Sequence, residues 1–234
     1  MSHTEPNGHQ IFSEWSLYRK VVENDYMAHT AIAQAVERAL GGAPDAPSVL
    51  DLGCGDAEVV YRLAESLPIG SYCGVDQSEA ALDSARARLE RMLPALDFEQ
   101  ANLLEFVKTT PRRFDVILCG YTLHHLSTEE KRDFFRFVHR VLNRRGVLMA
   151  YDAFHSPSES RRDYLEAYIG WIAEDWGAMH PEEREAIASH MRAEDKPETL
   201  DVFCQLAHDA GLRPTRTPLW SCDRNYHHLV RITH

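Results

Sequence analysis

The feature that most constrains the fold is an alternation, between residues 48 and 152, of short apolar runs with helical stretches. Each apolar run has the length of a strand, and the helical stretches repeat their apolar residues at three- and four-residue steps. The predicted strands cover 48–52, 71–76, 96–100, 114–119 and 146–152, and the predicted helices lie near 56–67, 79–92 and 128–143. This alternation predicts a parallel sheet covered by helices on both faces, with its ligand site at the carboxyl ends of the strands.

The segments outside this alternation complete an α/β fold. They predict, in order, a tail over 1–10, a region of N-terminal helices over 13–40, inserted helices over 154–196, a helix over 197–210 and strands near 214–221 and 225–232. The result is a doubly wound, mostly parallel seven-stranded sheet with an antiparallel last strand. The chain is thereby divided into an N-terminal tail and helical cap (1–42), a core (43–153), a helical insertion (154–196) and a closing helix with strands (197–234).

The charge and cysteine patterns exclude several classes of protein. The chain has 25 Lys+Arg against 36 Asp+Glu, a net charge of −11, whereas non-specific binding to nucleic acid needs a basic surface. Its five cysteines are odd in number and lack CxxC spacing, which favours a reducing cytoplasm over a disulfide framework or a zinc knuckle. The polar first residues show no signal-peptide pattern, and no apolar run approaches the roughly 20 residues of a membrane span.

Residues 49–59, VLDLGCGDAEV, run from a buried strand through a glycine turn into a helix. Gly53 and Gly55 allow the backbone to turn sharply and to approach a ligand closely. One interpretation is the GxGxxG fingerprint of dinucleotide-binding proteins, but Glu58 stands at the third glycine position. Asp51 would also repel a pyrophosphate at the mouth of this loop.

The other interpretation is a cofactor that carries positive charge and no phosphate. S-adenosylmethionine has a sulfonium and an α-ammonium group, so an acidic residue such as Asp51 attracts it. Asp76 ends the second predicted strand, where a carboxylate can accept hydrogen bonds from both ribose hydroxyls. Ribose recognition is common to both kinds of cofactor, whereas the acidic loop favours S-adenosylmethionine.

Five motifs in order resemble those of the class I S-adenosylmethionine-dependent methyltransferases. The similar segments are DLGCG (51–55), GVDQS (74–78), ANL (101–103), FDVILC followed by LHHL (114–119 and 123–126), and 142–152. Two departures are Ala57, where a third glycine is frequent, and Asn102, where many members have Asp; the Asn102 amide can still donate to adenine N1 and its carbonyl can accept from N6. The resemblance implies S-adenosyl-L-methionine as cofactor, held by Asp51, Gly53, Cys54, Gly55, Asp76, Gln77, Asn102, Leu103, Cys119 and Gly120.

The substrate side favours a small molecule. Methyltransferases of this fold that act on nucleobase amines carry an Asn/Asp-Pro-Pro-aromatic motif after the fourth strand, and this chain has CGYT at 119–122 instead. The N-terminal helices and the insertion supply aromatic walls, and one helical face is expected to present the three N-terminal residues of the set. The predicted substrate-binding residues are Tyr18, Tyr26, His29, Tyr121, Trp171 and Trp176.

Four polar residues follow the fourth and fifth predicted strands and are expected to cluster as candidates for a general base: His124, His125, Asp152 and His155. A base is needed only if the acceptor arrives protonated, since the cofactor is already activated. No HExxH or HxH spacing occurs, so no metal is predicted. The expected partner is a small molecule, without DNA, RNA or membrane, and a homodimer is left open. The alternatives are an RNA- or protein-directed methyltransferase and a cofactor-binding module without activity.

Overall fold

The central sheet is built from the alternating segments that the sequence predicts. The computed structural model describes residues 8–41 and 45–234, with side chains from residue 16 onward. Within these residues the strands are β1 (Ser48–Leu52), β2 (Ser71–Asp76), β3 (Leu96–Gln100), β4 (Phe114–Gly120), β5 (Leu142–His155), β6 (Glu198–Thr199), β7 (Arg213–Pro214), β8 (Trp220–Ser221) and β9 (His227–Thr233). The helices are α1 (Gly8–Glu23), α2 (His29–Ala39), α3 (Glu58–Ala64), α4 (Glu79–Leu89), α5 (Leu103–Thr109), α6 (Thr128–Val141), α7 (Arg161–Asp175), α8 (Pro181–Glu194) and α9 (Leu200–Asp209), with a 3₁₀ turn at Leu123–His125.

The order of the strands confirms the predicted doubly wound sheet. Its main path is β3-β2-β1-β4-β5-β9-β7, and β1 to β5 pair in parallel. β9 is antiparallel to β5, and the short strands β7 and β8 are antiparallel to β9. The predicted continuous strand over 214–221 is wrong, because only its two ends pair with β9. Pro214 and Pro218 lack the N–H that a continuous ladder needs.

The core lies on both faces of this sheet because successive strand side chains point to opposite faces. Leu50 of β1 packs in one cluster with residues of α6 and α9, whereas its neighbour Val49 packs in another with residues of α2, α3 and α4. Ile32 and Val36 of α2 are fully buried in that second cluster. α2 is therefore part of the hydrophobic core that packs against one face of the sheet.

The helical region predicted over 13–40 is divided into two helices. α1 ends at Glu23 and α2 begins at His29. Asp25 and Ala28 between them have φ values of 50° and 57°, and this left-handed backbone interrupts a right-handed helix. The sequence predicts that one helical face presents Tyr18, Tyr26 and His29. The structure contradicts this, because Tyr26 lies between the two helices and His29 begins the second one. Most of the predicted tail, residues 1–7, lies outside the described residues.

The insertion packs against the N-terminal region rather than standing alone. Its buried face includes Tyr168, Ile172 and Trp176 of α7 and the turn after it, and Val21 of α1 joins the same cluster.

Among the described residues, no helix has the length and apolar character needed to cross a membrane. The helix predicted to open at Pro197 begins at Leu200, because residues 198 and 199 pair with the end of β5.

Candidate active site

The glycine turn after β1 stands at the carboxyl edge of the sheet, and two of its residues require glycine. Gly53 and Gly55 have φ values of 66° and 53°, in the left-handed region. A Cβ added at Gly53 would lie 2.3 Å from Oγ1 of Thr122. The backbone N–H of Gly55 donates to Oδ2 of Asp76 at 2.9 Å, and the N–H of Ser78 donates to Oδ1 at 2.9 Å. The turn is thus held against the end of β2, which brings both predicted cofactor carboxylates to one edge.

Asp51 is a buried carboxyl group in an acidic environment. Its pKa is raised to about 7, mainly by burial. The hydrogen bond from the Tyr72 hydroxyl lowers the pKa, whereas the nearby Asp76 and Asp56 carboxyls add to the increase. A cationic ligand stabilises such a carboxylate, whereas a phosphate would be repelled. The site therefore fits the sulfonium and ammonium groups of S-adenosylmethionine better than a pyrophosphate.

Tyr18 of α1 covers the glycine turn. A Cβ added at Gly55 would lie 3.2 Å from Cε1 of Tyr18. Burial raises the pKa of the Tyr18 phenol, and the neighbouring Asp56, Asp76 and Asp51 raise it further. The side chain therefore stays neutral and screens this acidic edge from water.

The remaining predicted cofactor residues differ in what their side chains can offer. Oδ1 of Asn102 accepts from the N–H groups of Leu104 and Glu105 at 2.9 and 3.3 Å, so it caps α5. The Asn102 NH₂ can still donate, but its carbonyl is occupied, unlike the expectation of a contact to adenine N6. The thiols of Cys54 and Cys119 are buried with raised pKa values, so they stay protonated at neutral pH. Three other predicted residues lie near strand ends. Gln77 directly follows β2, Gly120 is the last residue of β4, and Leu103 begins α5.

The six predicted substrate residues join into one continuous aromatic row. The ring of His29 lies 6.5 Å from that of Tyr18 and 5.5 Å from that of Tyr121. Tyr121 lies 5.1 Å from His227, which lies 5.8 Å from Trp171. The row ends with Trp171 at 5.9 Å from Trp176, and Trp176 stacked on Tyr26 at 4.9 Å. It connects the glycine turn to the insertion.

Sequence reasoning missed one member of this row, His227. His227 begins β9, and its Nε2 lies 2.6 Å from the Tyr168 hydroxyl. Burial lowers the pKa of His227 to about 3, so the ring is neutral and can accept from that hydroxyl. The pairing of β9 with β5 places His227 opposite Ala153 at the functional edge. The antiparallel direction of the last strand was the signal that could have found it.

A polar cluster forms beside the row, around the 3₁₀ turn after β4. Nδ1 of His124 lies 2.5 Å from Oδ1 of Asp152, and the His124 backbone N–H donates to Oδ2 at 3.1 Å. Burial lowers the pKa of His124, but the charge and hydrogen bond of Asp152 more than offset this and raise it overall. Nδ1 of His125 lies 3.4 Å from Oδ1 of Asp195, a residue that sequence reasoning missed.

His155 does not join this cluster, contrary to expectation. Its Nδ1 contacts the carbonyl oxygen of Ser156 at 2.9 Å, and its ring lies 6.1 Å from that of Tyr164. Asp152 and His155 are three residues apart in β5, and an odd separation in a strand places two side chains on opposite faces.

Comparison with known proteins agrees with the fold and the glycine turn. Residues 49–146 match a family described as a methyltransferase domain. A carboxy-S-adenosyl-L-methionine synthase of Campylobacter jejuni is 29% identical over 129 residues, which cover 55% of this chain and 54% of that protein. A ribosomal RNA large subunit methyltransferase G of Psychromonas ingrahamii is 31% identical over 87 residues, covering 36% of this chain and 23% of that protein.

Two solved structures share the fold over nearly the whole chain. An S-adenosylmethionine-dependent methyltransferase from Clostridium acetobutylicum superposes with a TM-score of 0.66 at 12% identity, covering 97% of this chain and 99% of that one. A magnesium protoporphyrin IX methyltransferase from Synechocystis, with bound SAH, gives 0.58 at 17% identity, covering 99% and 89%. Residues 49–146 therefore form a methyltransferase domain, and the chain has the fold of S-adenosylmethionine-dependent methyltransferases. It spans about half the length of the Campylobacter relative.

Proposed function

We propose that this chain transfers a methyl group from S-adenosylmethionine to a small molecule held between the carboxyl edge of the sheet and the insertion. The observation that supports it most is the continuous aromatic row from Tyr18, over the glycine turn, to Trp171 and Trp176 of the insertion. The net charge of −11 argues against a nucleic-acid surface. The Synechocystis neighbour, named for a magnesium protoporphyrin, is an example of the same fold with a small acceptor.

In this proposal the chain's residues bind, align and exclude water. Asp51 and Asp76 hold the cofactor at its ammonium and ribose groups, and Tyr18 closes the glycine turn above them. When bound, S-adenosylmethionine supplies a methyl group that is already activated on its sulfonium. The aromatic row positions the acceptor atom in line with that methyl group, and its rings keep water away.

The acid–base role of His124, His125, Asp152 and His155 stays a prediction. Alignment by itself suffices for an acceptor that arrives deprotonated. Because His155 lies apart from the others, the candidates for a base in this proposal are His124, His125 and Asp152.

The substrate class is tested with purified protein, S-adenosylmethionine and fractions of a cell extract. Release of S-adenosylhomocysteine is measured with the low-molecular-weight fraction, with total RNA and with protein. We expect release with the first fraction only, and its loss in Asp76→Ala. Release that requires RNA or protein would overturn the small-molecule proposal. Tight cofactor binding with no release in any arm would make the chain a binding module.

A further inference from the structure

We propose that His124, His125 and Asp195 form a binding site for a divalent transition-metal ion, with zinc as the ion that fits best. Oδ1 of Asp195 lies 3.8 Å from Nε2 of His124 and 3.4 Å from Nδ1 of His125. The three ligand atoms all lie within 4.8 Å of one another. Ligand atoms about 2.1 Å from a tetrahedral zinc ion are about 3.4 Å apart, so small side-chain rotations complete the set.

The carboxylate of Asp195 points to a ligand. Asp195 is 7% exposed, and its Oδ1 is buried without a hydrogen-bond partner among the described residues. A buried acceptor left in this way has lost its contact with water without a compensating hydrogen bond, and a metal ion at the same place removes that cost. The charge of a divalent cation also offsets the two buried carboxylates, Asp152 and Asp195.

His124 is already oriented as a metal ligand. Asp152 pairs with its Nδ1 at 2.5 Å, which leaves Nε2 directed toward Asp195. A carboxylate on the second ring nitrogen is the usual device that fixes the tautomer of a metal-binding histidine. A general base needs the same Nε2 lone pair, so a metal here and the predicted acid–base role of His124 exclude each other.

Three hydrogen bonds to backbone carbonyl groups hold the Asp195 segment in place beside the two histidines. The N–H of Lys196 donates to the carbonyl of His124 at 2.6 Å, and its Nζ donates to the carbonyl of His125 at 3.0 Å. Nε of Arg161 donates to the carbonyl of Asp195 at 2.6 Å. The His125 side chain is 40% exposed, which gives an ion access and leaves a fourth position for water. The ligands come from the turn after β4 and from the residue after α8.

Metal binding tests this site without any substrate, so its failure is separable from failure of the proposed reaction. Untagged, chelator-treated protein is titrated with zinc chloride by calorimetry, and Co²⁺ is added to record its ligand-field spectrum. We expect one zinc ion per chain, no comparable binding of Mg²⁺, and a tetrahedral Co²⁺ band. Asp195→Asn and His125→Ala should each weaken zinc binding by about 100-fold or more, and Asp152→Asn by about 10- to 100-fold.

His208→Ala is the matched control, because His208 is an exposed histidine on α9 outside the cluster. It should bind zinc as the unaltered protein does. Circular dichroism and melting temperature show whether each variant is folded. Absence of stoichiometric zinc binding by the unaltered protein, or equal binding by folded Asp195→Asn and His125→Ala, would overturn the site. The four residues would then be a cluster of histidines and carboxylates that binds no ion.

Discussion

The hydroxyl of Tyr72 donates a hydrogen bond of 3.2 Å to Oδ2 of Asp51, inside the sheet where β1 and β2 pair. Asp76, Asp56 and the phenol of Tyr18 lie around the same carboxyl group. A buried carboxyl in such a setting holds its proton to an unusually high pH, so its charge depends on whether a cation is present. Cofactor binding and protonation of Asp51 are consequently coupled.

Affinity for S-adenosylmethionine should therefore rise with pH. With a pKa of about 7, Asp51 is ionised in only a small fraction of the molecules at pH 6 and in most of them at pH 7.5. Binding of the cationic cofactor should strengthen by about tenfold over this interval. Calorimetry at both pH values measures it, and Asp51→Asn should lose the trend. Asp83→Asn, at an exposed position on α4, should keep it. A flat profile in the unaltered protein would contradict the role of Asp51.

The same carboxyl should make the unliganded protein less stable as pH rises. Its folded-state pKa lies above the unfolded value, so the folded chain binds more protons between about pH 4 and pH 7. The contribution of Asp51 to stability is thus present below pH 4 and lost as pH rises through 7. Urea unfolding at pH 5 and pH 8 should show a smaller difference for Asp51→Asn than for the unaltered protein. An identical difference would show that Asp51 does not titrate in this range.

Asp76→Ala should weaken S-adenosylmethionine binding by roughly ten- to a hundred-fold. Loss of a hydrogen bond to a charged group costs about 1.5–3 kcal/mol. Asp76 also accepts from the N–H groups of Gly55 and Ser78, so the melting temperature must be measured beside the affinity. Asp83→Ala is again the matched control. Unchanged affinity in a folded Asp76→Ala protein would rule out the ribose contact.

Gly53→Ala should destabilise the fold by about 2 kcal/mol or more. The added methyl group meets the Thr122 side chain, and the φ of 66° is unfavourable for alanine. Gly170→Ala is the contrasting change, because a Cβ there meets nothing within 4 Å and the residue lies inside α7. It should stabilise the protein by about 0.5–1 kcal/mol. Chemical unfolding of both variants measures the difference, and equal effects would contradict the close packing at Gly53.

Lys131→Met should lower the free energy of unfolding by about 2 kcal/mol. Lys131 is 1% exposed, and its Nζ donates to the carbonyl of Lys196 at 2.5 Å and to Oε1 of Glu198 at 3.3 Å. Methionine fills a similar volume but leaves both acceptors without this donor. Lys108→Met, on an exposed surface of α5, should change stability by less than about 0.5 kcal/mol. Similar values for the two variants would show that the buried ammonium does not hold this segment.

Much of the site could be predicted because its residues lie near one another in sequence. Asp51, Gly53 and Gly55 occupy one strand end and its turn, so their spacing already fixes their relative positions. The opposite face of His155 was not predictable, because the predicted strand ends at residue 152 and only the structure continues it to His155. The break between α1 and α2 was not, because apolar residues at helical steps continue through 24–28 and nothing local forces Asp25 and Ala28 to left-handed φ.

The sequence by itself determined the sheet, the glycine turn and the acidic edge, since each depends on periodicity or on spacing within a few residues. The tertiary structure decided which distant segments meet: His227 with Tyr168, and Asp195 with His124 and His125. These contacts depend on how β9 pairs with β5 and how the insertion returns to the sheet. Such packing is set by the whole core, because a contact between separate elements has no characteristic spacing along the chain.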